Sequence, residues 1–317
     1  MASPDRITLT VNGRAYEGWL SSEVSLSLET LAATFSIPVS LDPAVRPDIE
    51  RQDEVQVSIG DTPILRGYVL AAEPFYDARD CGLRVQGHDR TGDLVRCAAL
   101  HRGGQWRGAS LRRIAQDLCA PFGVAVVVDE SVAGAADESV GDLKISAQET
   151  VLDVLARATR LKAVLLSRDH LGRLLLTRAG AQAFPGVIQR GVNVLRMEGV
   201  GSDAQRHSHY IAHGQTEVGL RQFQLPGDPP RSDAAWEASR QFEVTGRDAA
   251  LTRWLPLVVG GEGNKTKAEL QAYVDHVAAV RRGHSYGLRY TVEGWTWEGM
   301  PWPLNARVKV FDDVAGV

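Results

Sequence analysis

The chain has 317 residues, 35 Lys and Arg against 39 Asp and Glu, a formal charge of −4 at pH 7, and 44% hydrophobic against 23% charged residues. That length supports two or three domains with more than one buried core, and the ordinary composition excludes a disordered or fibrous chain. The mildly acidic balance argues against a protein whose main task is gripping DNA or RNA, because phosphate binding rests on a basic surface that releases counterions; it leaves room for one that lets DNA pass without holding it.

In chain order, the first hundred residues predict a β domain. Ile7, Leu9 and Val11 alternate with polar neighbours, Asn12-Gly13 supplies a hairpin turn, and a second strand is predicted from Tyr16 to Leu20. The alternation returns at Val24, Leu26 and Leu28, at Phe35, Ile37 and Val39, at Val55, Val57 and Ile59, and at Leu83 and Val85. Several short strands separated by turn signals predict a small barrel or sandwich.

From Leu100 the period changes from two to about 3.6. Ser110 can cap a helix with Leu111, Ile114, Ala115 and Leu118 on one face, stopped by Pro121 and Gly123. A strand is predicted at Val124 to Val128 and an exposed loop from Asp129 to Gly141. Ser146 and Glu149 form a capping box before a helix carrying Val151, Leu152, Leu155 and Ala158. Ala163 to Leu166 and Leu174 to Thr177 flank Asp169-His170-Leu171-Gly172 as a predicted hairpin, which completes an α/β unit.

After Gly180 the β pattern resumes at Val192 to Met197 and Tyr210 to His213. An insertion is predicted to begin at Leu225-Pro226-Gly227-Asp228-Pro229-Pro230 and to end with a helix near Thr266 to Arg282, whose face is Leu270, Tyr273, Val274 and Val277. Strands return at Tyr286, Leu288, Tyr290 and Val292 and at Val308 to Phe311. The predicted order is β, α/β, β with a helical insert, a mixed α+β chain that is mainly β.

No stretch approaches the ~18 apolar residues of a membrane helix, and Met1 to Thr10 has no apolar core or cleavage site, so the expectation is a soluble protein made in the cytoplasm. Cys81, Cys97 and Cys119 include no Cys-x-x-Cys pair and predict free, largely buried thiols. The run Leu257 to Thr266 holds a glycine-rich loop before a helix, but with Lys265-Thr266 as anchor the two glycines of a phosphate-binding loop would fall on Val259 and Asn264. His207, His209 and His213 could share a strand face, yet no acid or thiol stands at matching spacing, which predicts a solvated face. Trp295, Trp297 and Trp302 surround a Gly/Pro turn and could stack on sugar, although packing in a core or a subunit contact is the favoured expectation. No nucleophile elbow, zinc-protease helix or dinucleotide fingerprint is present. No catalytic, cofactor-binding or metal-ligating residue is therefore assigned, and no enzyme activity or cofactor is expected.

Two blocks carry more information. The first runs Gly87-His88-Asp89-Arg90-Thr91-Gly92-Asp93-Leu94-Val95, then Cys97-Ala98-Ala99, Gly103-Gly104-Gln105-Trp106, Leu111 and Ile114-Ala115-Gln116-Asp117-Leu118-Cys119-Ala120-Pro121-Phe122-Gly123-Val124. The second runs Thr252-Arg253-Trp254-Leu255-Pro256-Leu257-Val258-Val259, the 266–282 helix, Val292-Glu293-Gly294-Trp295, and Trp302-Pro303-Leu304-Asn305 on to Val310. Together they resemble the baseplate hub proteins of phage Mu and Mu-like contractile tails over nearly the whole chain.

The resemblance implies two tube-protein-like β-barrel domains flanking an α/β domain: residues 1–98 as the first barrel, 99–184 as the α/β domain, and 185–317 as the second barrel with a helix-bearing insert at about 226–283. It implies a homotrimer on the tail axis, six barrels in a ring, joining the tail tube to the central spike. Other baseplate proteins, with the tape-measure protein as a further candidate, are the remaining implied partners. DNA would be only transient cargo, there would be no membrane insertion, and the protein would be assembled in the host cytoplasm and located in the virion baseplate. A neutral or acidic channel is expected, so that phosphates are not held. Family members continue past Phe311 to Val317 with further strands, so a truncated second barrel is a further expectation. The alternatives are a hub of a contractile bacteriocin or injection needle and, from another class, a tail-associated cell-wall hydrolase.

Overall fold

Period-two alternation in the first ninety residues builds one antiparallel sheet. A computed structural model describes residues 6–17, 21–40, 48–77, 81–160, 162–180, 182–215, 241–260 and 266–317. The strands of this sheet are β1 (Ile7–Val11), β2 (Arg14–Tyr16), β3 (Glu23–Ser25), β4 (Thr34–Ser40), β5 (Glu54–Ile59), β6 (Thr62–Tyr76) and β7 (Cys81–Asp89), in the order β2-β1-β5-β6-β7-β4-β3. Asn12 and Gly13 both take positive φ, 49° and 78°, the geometry a tight two-residue hairpin demands. Ile7, Leu9, Val11, Ile37, Val57 and Val85 turn inward to a common core, as their alternation predicts.

The long strand β6 is the element the alternation does not reveal. Its first part pairs with β5 and its later part with β7, and the register shifts between Val69 and Ala71, an irregularity that lets one strand serve both neighbours. The sheet does not close. β2 and β3 end the strand order unpaired with each other among the described residues, so the expected first barrel is an open, seven-stranded sheet.

The α/β part follows. Helix α1 (Gly92–Arg96), β8 (Gln105–Arg107) and α2 (Leu111–Cys119) lead to β9 (Val126–Val128). The Ser110 hydroxyl accepts from the Arg113 N–H to cap α2, and Gly123 at φ 65° ends the short turn of helix that extends it. The predicted loop at 129–141 holds a 3-10 turn, Glu130–Val132, and helix α3, Ala133–Asp137. Buried Val132 and Ala136 explain it, since packing against the core orders a stretch whose composition reads as a loop.

Strand β10 (Asp142–Lys144) precedes α4 (Val151–Arg160). The cap of α4 lies one turn later than predicted: Asp153 accepts from the Thr150 N–H and hydroxyl, and the Thr150 hydroxyl accepts from the Asp153 N–H. Glu149 instead accepts from the Ser146 N–H in the preceding turn. Strands β11 (Leu165–Arg168) and β12 (Leu174–Thr177) form the predicted hairpin, and β12 runs parallel to β9. Leu111, Ile114, Leu118, Val154, Leu155 and Leu174 are essentially inaccessible in the resulting core.

The structure divides into two units, Met1–Asn193 with Val292–Val317, and Val194–Thr291. The first also holds β13 (Gln182–Gln189), paired in parallel with β21 (Ala306–Phe311), and the hairpin of β19 (Thr296–Trp297) and β20 (Met300–Pro301), turned at Glu298 and Gly299 with φ 49° and 81°.

In the second unit β14 (Val194–Gly201) pairs with β18 (Tyr286–Val292), and β15 (His209–Gln215) lies between β16 (Gln241–Arg247) and β17 (Pro256–Val258) under helix α5 (Lys267–His284). Tyr210, Ala212, Val244, Leu270, Val274 and Ala278 form its core. Among the described residues the expected second barrel is not closed: its strands fall into separate two- and three-stranded sheets. On β15 the alternate residues Tyr210 and Ala212 are buried in the core that α5 shares. The predicted insertion start at 225–230 lies outside the described residues.

Candidate functional site

The residues of the first block converge where β7 leaves the open sheet and the chain enters α1. Asp89, the last residue of β7, is fully buried; one carboxylate oxygen accepts from the Thr91 N–H at 3.1 Å and from the Thr91 hydroxyl at 2.7 Å. The other faces the Arg168 Nε at 3.1 Å as an ion pair without hydrogen-bond alignment, and the two side chains are 0% and 3% exposed. Burial pushes the Asp89 carboxyl up, against the opposing pull of Thr91 and Arg168. Burial likewise lowers the Arg168 guanidinium. The His88 Nδ1–H donates to the Asp89 carbonyl at 2.7 Å, and Arg90 reaches the Glu54 carboxylate on β5 at 2.7 Å.

Two glycines admit these close approaches. A Cβ on Gly92 would stand 2.4 Å from the His88 ring, and one on Gly172, at φ 72°, would stand 2.8 Å from the Arg66 carbonyl oxygen. The spacing of this block in the chain therefore answers to packing at a junction, with Asp89 and Arg90 reaching Arg168 and Glu54 elsewhere in the protein. Arg168 and Glu54 carry no sequence signal for this, because both partners are distant along the chain.

The other candidates do not gather into one site. Within the glycine-rich run only Leu257 to Gly260 and Thr266 are described; 261–265 lie outside the described residues. The His207 N–H donates to the Tyr210 hydroxyl, His209 meets the Ser208 hydroxyl and the Trp254 ring at 4.4 Å, and His213 stands 3.8 Å from the Glu243 carboxylate. Trp297 and Trp302 pack edge to face at 6.1 Å, with Phe184 5.3 Å from Trp302, while Trp295 remains 39% exposed. Cys119 is buried and its thiol is pushed up to about 12 by desolvation, which keeps it protonated; Cys81 and Cys97 are half-buried free thiols.

A cleft of about 380 Å³ in the first unit is walled by Pro63, Asp129, Arg168, Asp169, Trp302 and Asn305 among others. Its carboxylates are already engaged: Asp129 accepts from the Ser131 N–H, and Asp169 from the Leu171 and Arg173 N–H groups and the Arg173 guanidinium. The arrangement rigidifies the wall.

In the second unit, Arg206 grips the buried Asp248 through Nε at 3.0 Å and a second nitrogen at 2.9 Å. Desolvation raises the Asp248 carboxyl, but the Arg206 hydrogen bonds, the Ala250 N–H and the nearby cations outweigh it, so the carboxyl sits below its ordinary value. A depressed folded-state value means that the stabilisation is present above the unfolded carboxylate range, near pH 4, and is lost as pH falls through the folded value. Hydrogen exchange across 241–247 is expected to accelerate on acidification below about pH 4, and Asp248→Asn is expected to exchange faster at neutral pH with a flatter acid limb. An acid limb unchanged in Asp248→Asn would disprove this assignment.

Residues 6–89 match the model of the Mu phage baseplate assembly protein GpP-like N-terminal domain, and residues 91–178 that of the second domain of baseplate hub protein gp44-like chains. The chain is 29% identical over 306 residues to baseplate hub protein gp44 of Escherichia phage Mu, covering 96% of this chain and 78% of that protein. The chain belongs to the phage Mu baseplate hub family.

It is a baseplate hub protein of a Mu-like phage tail. The 43 kDa tail protein of prophage MuSo2 from Shewanella oneidensis superposes with a TM-score of 0.81 at 28% identity, over 98% of the hub chain and 90% of its own. A tail protein from Neisseria meningitidis MC58 shares the fold, with a TM-score of 0.76 at 20% identity over 98% and 87% of the two chains. The two matched segments abut at Arg90, so the junction built by His88, Asp89, Thr91 and Arg168 lies where one hub domain hands over to the next. No described helix of the hub is long and apolar enough to cross a membrane.

Proposed function

We propose that three copies of this chain form a ring on the tail axis that joins the tail tube to the central spike and lets DNA cross during ejection, a mechanical and non-enzymatic role. The observation that carries this reading is the match along 96% of the chain to the Mu baseplate hub protein. The structure lends physical support. Among the described residues β13–β21 and β14–β18 are two-stranded sheets, an arrangement that is marginal in isolation, and Leu195 and Tyr286 on the β14–β18 pair stand 67% and 57% exposed. Neighbouring subunits in a closed ring would cover such faces and edges.

In the same reading the chain is organised as domains 1–98, 99–184 and 185–317, it works beside other baseplate proteins and the tape-measure protein, and it is assembled in the host cytoplasm. The channel wall is neutral or acidic, which keeps phosphates from being held. Sedimentation velocity of the purified protein, alone and with its spike partner, is expected to show a species of about 103 kDa, three times the 34.4 kDa subunit. A monomer under all conditions, spike included, would overturn the proposal.

A further inference from the structure

The ion pair of Asp89 and Arg168 joins the last residue of the seven-stranded sheet to the last residue of β11 in the α/β part. Both side chains are withdrawn from water, at 0% and 3% exposure. Bringing two ions out of water costs several kcal/mol each in general, and their attraction repays this only when further hydrogen bonds satisfy the pair. Here Thr91 satisfies one oxygen of Asp89, whereas the Arg168 Nε and the second oxygen meet without alignment. Burial raises the Asp89 carboxyl and lowers the Arg168 guanidinium, and the further hydrogen bond from Arg168 is a long one, 3.4 Å, to the Asp169 carbonyl.

A pair of that kind is a poor stabiliser, yet it discriminates between arrangements. Any shifted docking of the sheet against the α/β part would leave one buried charge without its counterion, a far larger penalty than a displaced apolar contact. Other contacts surround it: Leu31 joins the α/β core, and Gly172 comes close to the Arg66 carbonyl.

We propose that the Asp89–Arg168 pair is an orientation lock, which selects one docking of the first hub domain on the second without adding to their stability. In a baseplate component that must present fixed surfaces to several neighbours, a single inter-domain orientation is a functional property.

The test uses the full chain with Cys81 and Cys97 replaced by Ser and spin labels at Arg14→Cys and Arg113→Cys, positions 69% and 68% exposed. Distances between the labels and urea midpoints are read for four proteins: the labelled parent, Asp89→Asn, Arg168→Met and the double variant. Asp89→Asn keeps an oxygen for Thr91 while removing the charge. The parent is expected to give one narrow distance distribution. Arg168→Met is expected to lower the midpoint by leaving Asp89 buried alone. The double variant is expected to recover the parent midpoint while its distribution broadens or splits. A narrow distribution in the double variant would overturn the lock at any stability. So would a double variant whose midpoint falls by the sum of the two single losses, because the two side chains would then act independently and not as a pair. Should Arg168→Met fail to fold, Asp89→Asn with Arg168→Gln is read by the same criteria.

Discussion

Gly67→Ala is expected to disrupt the seven-stranded sheet, at a cost at or beyond the upper end of the ~1–3 kcal/mol that overpacking of a core carries. Gly67 lies on β6 opposite Asp89. A Cβ there would stand 1.9 Å from the His88 carbonyl oxygen, 2.5 Å from the Asp89 Cα and 2.8 Å from the His88 carbonyl carbon. All three are backbone atoms of β7, so no rotamer change relieves the overlap and the two strands must separate. The damage falls beside the junction, because His88 and Asp89 are the residues displaced. Gly134→Ala is the matched control. It lies in helix α3 with nothing within 4 Å of its added Cβ, and exchange of Gly for Ala in a helix gains up to about 1 kcal/mol. Thermal unfolding of the two variants should therefore diverge in opposite directions from the parent, and a Gly67→Ala midpoint within a degree of the parent would refute the steric argument.

Tyr210→Ala is expected to unfold the second unit. Among the described residues its core rests on six buried ones, of which Tyr210 is the largest and wholly inaccessible, and the Tyr210 hydroxyl accepts from the His207 N–H at 3.0 Å. Truncating a large buried aromatic side chain costs about 3–5 kcal/mol. In a core this small that loss is a large share of what holds β15, β16 and α5 together. Tyr210→Phe keeps the ring and gives up only the hydroxyl acceptor of a half-buried N–H, so its cost should stay near ~1 kcal/mol. Hydrogen exchange is the measurement. Protection should vanish across 209–215, 241–247 and 267–284 in Tyr210→Ala, with the strands between residues 7 and 89 still protected, whereas Tyr210→Phe should keep both. Retained protection of α5 in Tyr210→Ala would show that the unit does not depend on this core.

Local periodicity made much of this legible. Ile7, Leu9 and Val11 alternate because one face of β1 is buried, and Leu111, Ile114, Ala115 and Leu118 repeat every three or four residues because one face of α2 is buried. Ser110 announced its cap, Asn12-Gly13 its turn, and Pro121 with Gly123 the end of α2, since each acts on its immediate neighbours. The blocks from Gly87 to Val124 and from Thr252 to Val310 were enough to point to the phage Mu hub family.

What local pattern cannot carry is a choice among distant partners. Whether the first sheet closes depends on β2 meeting β3, and among the described residues that pairing is absent. β15 reads as a barrel strand, yet its inward residues lie against α5, more than fifty positions further along the chain. Helix α3 exists because Val132 and Ala136 find a core, in a stretch whose own composition favours a loop. The same limit applies to Asp89. Its place in the Gly87 to Val95 block was visible, but its counterion on β11 was not, because a buried charge is matched through space and leaves no mark at a fixed spacing. The sequence by itself thus determined the strongly periodic elements, the cap and stop of α2, and the family. The tertiary structure alone decided which edges pair, which faces are covered and which charges meet, since those outcomes rest on desolvation and contact between residues that the chain brings together only when folded.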